Sequence, residues 1–139
     1  MPSPTEVPGP RILIVDDQPS NVRLLEHTLR RAGYAEVMST TEPRDVSELH
    51  RQHRYDLILL DLQMPAMNGF EVMAGLQEIQ SAHPVSILVL SADGTQNKTA
   101  LTEGADSFLG KPFRLPEIVE RVQLMLKTRG PSPPASPLC

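Results

Sequence analysis

Ile12-Leu-Ile-Val-Asp-Asp17 places four consecutive apolar residues directly before two carboxylates. Leu57-Ile-Leu-Leu-Asp61 repeats this arrangement, and further short runs occupy 36–38, 87–90 and 107–109. A short run that is apolar at successive positions is typical of a strand buried on both faces, as in a parallel sheet covered by helices. These runs therefore predict five strands.

Segments of helical periodicity separate the predicted strands. Apolar residues recur on one helical face in three of these segments, at Val22, Leu25 and Leu29, at Val72, Leu76 and Ile79, and at Ile118, Val122 and Met125. Pro19 suits a first helical turn, Gly33 suits a helix C-terminus and Asn68 suits an N-cap. Helices over roughly 42–53 and 95–103 are less sharply patterned. The alternation of strands and helices predicts an α/β fold with a doubly wound parallel sheet.

Length and proline content define the domain organisation. The chain has 139 residues, of which 40% are hydrophobic and 22% charged, and this composition fits one globular domain. Eight of the fourteen prolines lie in the first ten and last ten residues. Such segments offer little to bury, so we expect flexible tails at 1–10 and 130–139 around a folded domain at 11–129.

Several classes of protein are excluded by composition. No run approaches the roughly 20 apolar residues that span a bilayer, and no signal peptide is recognisable, so we expect a cytoplasmic protein without membrane contact. Cys139 is the single cysteine, which excludes an internal disulfide and a cysteine-based zinc site. With 13 basic and 17 acidic residues, the chain lacks the charge pattern of a direct nucleic-acid binder.

Polar residues follow four of the five predicted strands. The first strand leads into Asp16-Asp17, the third into Asp61, the fourth into Ser91 and the fifth into Lys111-Pro112. Open α/β sheets bind ligands beyond the carboxyl ends of their strands, so these side chains are expected to converge. One carboxylate at a strand end is most often structural or solvated, but four strands that end in polar groups indicate a site.

The three carboxylates predict a divalent metal. At a separation of ~4 Å each pair repels by ~4 kcal/mol at an effective dielectric of ~20, so the ionised cluster needs a cation. A few oxygen ligands without His or Cys favour Mg²⁺. With a lysine and a hydroxyl nearby, the site suits a phosphoryl group carried on Asp61 as nucleophile. His50 and His53, three residues apart, are expected on a solvated helix face and not at a metal.

At these residues the chain resembles the receiver domain of bacterial two-component response regulators. The resemblance covers about Arg11 to Leu126, and the family's motifs appear in its order. They are Ile12-Leu-Ile-Val-Asp-Asp17, Leu59-Leu-Asp-Leu-Gln-Met-Pro-Ala-Met-Asn-Gly69, Leu90-Ser-Ala92 and Lys111-Pro-Phe113. The resemblance implies a flavodoxin-like five-stranded sheet of order 2-1-3-4-5, flanked by five helices.

The resemblance also implies a phosphoryl-transfer site. Asp61 would accept the phosphoryl group from a sensor histidine kinase or a phosphotransfer protein. Mg²⁺ would be held directly by Asp17 and Asp61, through water by Asp16, and by the main-chain carbonyl of Gln63. Lys111 would bind the phosphoryl group. The protein would then take part only in its own phosphorylation and hydrolysis and would not be an enzyme for an outside substrate.

A switch and an output surface follow from the same resemblance. Ser91 corresponds to the switch hydroxyl and Phe108 to the switch aromatic residue. Gln63 and Asp93 correspond to positions that tune the lifetime of the phosphoryl group. The family usually contacts its downstream protein through the face formed here by about 95–127.

The sequence leaves alternatives open. The stand-alone receiver has an alternative within the family, namely a receiver module cut from a larger response regulator or hybrid histidine kinase. A phosphatase of the haloacid dehalogenase type shares the ingredients, but it places its nucleophile after the first strand in a DxD pattern, whereas here the acidic pair comes first. A flavodoxin-like cofactor protein would carry a phosphate loop where Asp16-Asp17 would repel phosphate.

Overall fold

Five parallel strands form one sheet in this computed structural model, which describes residues 10–62, 69–79, 82, 85–91, 104–110 and 114–129. The strands are β1 (Arg11–Val15), β2 (Glu36–Thr40), β3 (Leu57–Asp61), β4 (Ser86–Ser91) and β5 (Ser107–Gly110). Their order in the sheet is β2-β1-β3-β4-β5, which confirms the predicted topology. The strands extend beyond the apolar runs from which they were predicted. Asp61 and Ser91 are therefore the last residues of β3 and β4, whereas the sequence placed them directly after these strands.

Four α-helices lie in the described ranges, one fewer than the five predicted. They are α1 (Pro19–Arg31), α2 (Val46–His53), α3 (Gly69–Glu78) and α4 (Leu115–Arg129). The helix predicted at 95–103 and the N-cap predicted at Asn68 lie outside the described residues. None of the helices within the described ranges is both long and apolar enough to cross a membrane.

The helix predicted over 42–53 is interrupted near its start. Pro43–Asp45 forms a short 3₁₀ helix, and α2 begins only at Val46. The amide N–H of Asp45 donates to the carbonyl oxygen of Glu42, the three-residue spacing of a 3₁₀ turn, and the Glu42 carboxylate accepts from the amide of Arg44. Local side-chain capping therefore replaces the first α-helical turn.

The first helix ends as the sequence predicts. Gly33 adopts a φ of 110°, a region that side chains other than glycine rarely enter. The amide of Gly33 donates to the carbonyl oxygen of Arg30, and the amide of Tyr34 donates to that of Leu29. These two bonds form a Schellman motif, in which Tyr34 and Leu29 share one apolar cluster. The motif stops α1 and turns the chain toward β2.

Each face of the sheet supports its own apolar cluster. One cluster joins side chains of the sheet to α2 and α3, including Leu13, Ile58, Val89 and Met73. The other cluster joins alternate side chains of the strands to α1 and α4. Because β3 is buried at all five positions, its terminal residue Asp61 lies in a close-packed part of the molecule.

The histidine pair in α2 differs from its prediction. His50 is only 1% exposed, and its Nδ1 accepts a hydrogen bond from the amide of Tyr55 at 3.1 Å. The rings of His50 and Tyr55 stack with centroids 6.1 Å apart. The expectation of a solvated helix face is therefore wrong for His50, because this residue lies one helical turn after the buried Val46, on the inward face of α2.

Candidate functional site

The candidate site lies at the carboxyl ends of the central strands. Val15 of β1 pairs with Leu60 of β3, so Asp16 emerges beside Asp61 at the end of the adjacent strand. Asp61 in turn pairs with Leu90 of β4. The parallel register therefore brings residues from three separate parts of the sequence to one edge of the sheet, as expected for an open α/β fold.

Three aspartate carboxylates converge at this edge. One carboxylate oxygen from each of Asp16, Asp17 and Asp61 lies within 4.8 Å of the others. Asp16 and Asp61 are 2% and 3% exposed, whereas Asp17 is partly open to solvent. Two of the three carboxylates are thus largely removed from water. Repulsion between them is therefore screened less than it would be in solvent.

Asp16 is held in place by the first turn of α1. Its Oδ1 accepts from the amide of Gln18 at 2.9 Å, and its Oδ2 accepts from Nδ2 of Asn21 at 3.4 Å. Asn21 was not singled out from the sequence, although a polar side chain in the helical turn just after an acidic pair is a detectable signal. These two bonds fix the orientation of the Asp16 carboxylate.

The donor set fits Mg²⁺. An octahedral Mg²⁺ binds oxygen at about 2.1 Å, so its ligand oxygens lie roughly 2.9 to 4.2 Å apart. The three carboxylate oxygens lie within 4.8 Å of one another, close to this range, which leaves room for an ion bound directly by Asp17 and Asp61 and through water by Asp16. Oxygen donors alone, with solvent access beside Asp17, suit a hard cation that keeps several water ligands. Asp16, Asp17 and Asp61 are therefore the residues that would hold the ion.

Ser91 and Phe108 lie on the strands beside the carboxylates. Ser91 is fully buried at the end of β4, next to Leu90, which pairs with Asp61. Neighbouring strands are about 4.8 Å apart, so Ser91 belongs to the same edge of the sheet as the Asp61 carboxylate. Phe108 lies in β5, pairs with Val89 of β4 and is partly buried against the cluster formed with α2 and α3.

Three other predicted site residues lie outside the described part of the chain. These are Gln63, Asp93 and Lys111. Their roles as a main-chain ligand, a lifetime-tuning position and a phosphate-binding lysine stay predictions.

Comparison with known proteins identifies the family. The family model for the response regulator receiver domain matches residues 12–123. The chain belongs to this receiver domain family. The receiver is 35% identical over 126 residues to the transcriptional regulatory protein PrrA of Mycobacterium tuberculosis, covering 91% of this chain and 54% of the relative. It is also 33% identical to the response regulator ArlR of Staphylococcus aureus, covering 84% of this chain and 52% of the relative. The chain spans about half the length of these curated relatives.

Solved structures show the same receiver fold. The chemotaxis protein CheY4 of Vibrio cholerae is 30% identical, with a TM-score of 0.75 over 85% of this chain and 99% of that one. The receiver domain of the sensor histidine kinase PA1611 from Pseudomonas aeruginosa is 28% identical, with a TM-score of 0.74 over 84% of this chain and 97% of that one. The PA1611 receiver holds a magnesium ion coordinated in its active site cleft. Over most of its length the chain thus shares its fold with these receiver domains.

Proposed function

We propose that this receiver domain accepts a phosphoryl group on Asp61 from a histidine kinase or a phosphotransfer protein, in a reaction that requires Mg²⁺. The observation that carries the proposal is the convergence of the Asp16, Asp17 and Asp61 carboxylates within 4.8 Å, on the strand edge next to Ser91. The magnesium reported for the PA1611 receiver supports the assignment of the metal.

Asp61 is the best acceptor of the three aspartates. Asp16 is oriented by hydrogen bonds from α1, and Asp17 lies on the open side of the cluster, which suits a metal ligand with water beside it. Asp61 ends the central strand of the sheet, and its backbone is fixed by pairing with β4. A nucleophile held in this way loses little conformational freedom when it reaches the transferring phosphorus.

The transfer exchanges one bond to phosphorus for another. An ionised oxygen of Asp61 forms a bond to phosphorus, while the bond from phosphorus to the donor's imidazole nitrogen breaks and that nitrogen keeps the electron pair. The product is an acyl phosphate on Asp61. Mg²⁺, when bound, neutralises charge on the transferring oxygens, and we assign the same task to Lys111.

The proposed output is a change in protein contacts. The Ser91 hydroxyl would donate a hydrogen bond to a phosphoryl oxygen. The ring of Phe108 would then change its packing beside β5. The downstream partner would contact the face formed by about 95–127, and side chains at Gln63 and Asp93 would set how fast water removes the phosphoryl group. In this proposal the protein acts only in its own phosphorylation and hydrolysis. A receiver within a longer regulator would use the same site.

Intact-mass measurement after incubation with Mg²⁺ and acetyl phosphate tests the proposal directly. The wild-type chain is expected to gain one phosphoryl group, and Asp61→Asn none, because an amide is not an ionised nucleophile. Asp45→Asn is the matched control, since Asp45 is an exposed aspartate outside the site. Equal labelling of wild type and Asp61→Asn would refute the assignment of Asp61, and labelling that persists in excess chelator would refute the requirement for metal.

A further inference from the structure

Arg121 of α4 is bonded to the backbone of the edge strand β5. Its Nη1 donates to the Oγ of Ser107 and, at 2.9 Å, to the carbonyl oxygen of Phe108. Within the described ranges the guanidinium forms no ion pair, so its contacts there are with neutral acceptors of β5. A charged donor makes stronger hydrogen bonds to such acceptors than a neutral one, so this contact firmly connects α4 to the strand.

The contact joins two structures on opposite faces of the sheet. The ring of Phe108 packs with the cluster formed by α2 and α3. The apolar stripe of α4, with Ile118 and Val122, packs with the other cluster. Because the sheet separates the ring from α4, a rearrangement of the ring would reach this helix through the β5 backbone, and Arg121 contacts that backbone at Phe108 itself.

The strand β5 also borders the candidate site. Gly110 of β5 pairs with Ser91 of β4, and Phe108 pairs with Val89 two residues earlier. A displacement of the β4 end toward a phosphoryl group on Asp61 would therefore act on β5 through the strand pairing. Packed elements of this kind tend to move between discrete arrangements and not to deform continuously.

We propose that Arg121 is a positioning residue that couples the state of Phe108 to α4. The inference rests on the proposed function, because it concerns how phosphorylation of Asp61 changes the output surface. When Arg121 is present, a displacement of the Phe108 carbonyl also displaces the guanidinium and, through it, the exposed flank of α4. Without Arg121, β5 can still respond to the phosphoryl group, but α4 follows only through apolar packing.

The opposite edge of the sheet offers a matched control. Arg30 of α1 donates to the carbonyl oxygens of Ala35 and Val37, at 3.3 and 2.7 Å, beside the edge strand β2. Arg30→Ala therefore removes the same kind of contact far from Phe108. Ser107→Ala removes one acceptor of Arg121 and leaves the bond to Phe108, so it is a milder second variant.

The experiment records backbone NMR spectra of the full chain before and after addition of Mg²⁺ and beryllium fluoride, a phosphoryl mimic. Phosphorylation of each variant by acetyl phosphate is measured in parallel. We expect Arg121→Ala to be phosphorylated like wild type and to keep its shift changes in β5, while the changes in α4 fall to about half or less of the wild-type values. Ser107→Ala should give an intermediate loss, and Arg30→Ala should keep the full response.

The outcomes separate the two proposals. If wild type gains no phosphoryl group and shows no shift changes, the proposed function fails and the coupling fails with it. If wild type responds but Arg121→Ala shows wild-type shift changes in α4, the coupling alone is wrong. An equal loss in Arg30→Ala would also overturn it, because the effect would then reflect general loosening of the sheet edges. Should Arg121→Ala not fold, Arg121→Met keeps the apolar stem of the side chain and removes both hydrogen bonds, and a full wild-type response of α4 in that variant contradicts the coupling.

Discussion

Asp61→Asn is expected to stabilise the metal-free protein while it abolishes phosphorylation. In wild type the three site carboxylates lie within 4.8 Å, so three pairs of negative charges repel one another, and the substitution leaves one such pair. At this separation and an effective dielectric of about 20, each pair repels by about 3.5 kcal/mol. Because Asp17 is partly in water, the net gain in the free energy of unfolding is expected at about 1 to 3 kcal/mol.

The measurement is urea unfolding at low ionic strength, with chelator and then with Mg²⁺. In chelator, Asp61→Asn should unfold at higher urea than wild type with an unchanged m-value. At a Mg²⁺ concentration about 100 times the dissociation constant, wild type should gain about 2.7 kcal/mol, because the ion binds the native state. The variant should gain clearly less, since one charged ligand is gone.

Asp45→Asn provides the control for the loss of an exposed aspartate. Its stability should stay within about 0.5 kcal/mol of wild type in both conditions. The reasoning is refuted if Asp61→Asn is no more stable than wild type in chelator. A gain from Mg²⁺ that is equal in wild type and Asp61→Asn would show that Asp61 does not bind the ion.

Further substitutions test the helix end, a buried phenol and the switch hydroxyl. Gly33→Ala should lower the free energy of unfolding by about 1–2 kcal/mol through backbone strain alone, since a methyl group there meets no atom within 4 Å. Denaturant unfolding measures this loss, with Ala32→Gly as the control variant. Burial raises the pKa of the Tyr55 phenol above its usual 10.0, so wild-type stability should fall as the pH rises above 10, and Tyr55→Phe should show a smaller fall in thermal melts across that range. A steeper fall in the variant would contradict this. Ser91→Ala should still be labelled on Asp61 but lose the shift changes at Phe108, because a charge-assisted hydrogen bond of about 1.5–3 kcal/mol is missing; full wild-type shifts would exclude this route.

Local sequence patterns were sufficient for the framework of the fold. The apolar runs before Asp16 and Asp61 identify strands buried on both faces, since a partly exposed strand would alternate with polar residues. The sequence likewise predicts the end of α1 at Gly33. The backbone there has a φ of 110°, which glycine adopts without strain, so this preference is local and does not depend on the surrounding structure. Even the location of the site follows, since parallel strands present their carboxyl ends at one edge.

The tertiary structure decided how closely the site residues approach one another, which other side chains contact them and which polar side chains are buried. The register of β1 and β3 brings Asp16 to Asp61, Asn21 reaches back to Asp16, and His50 folds inward although its helix has polar neighbours. The bond from Arg121 to the backbone of Phe108 likewise joins two elements that no local pattern relates. The physical reason is that periodicity and turn preferences act over a few residues, whereas distances and burial depend on how whole elements pack together.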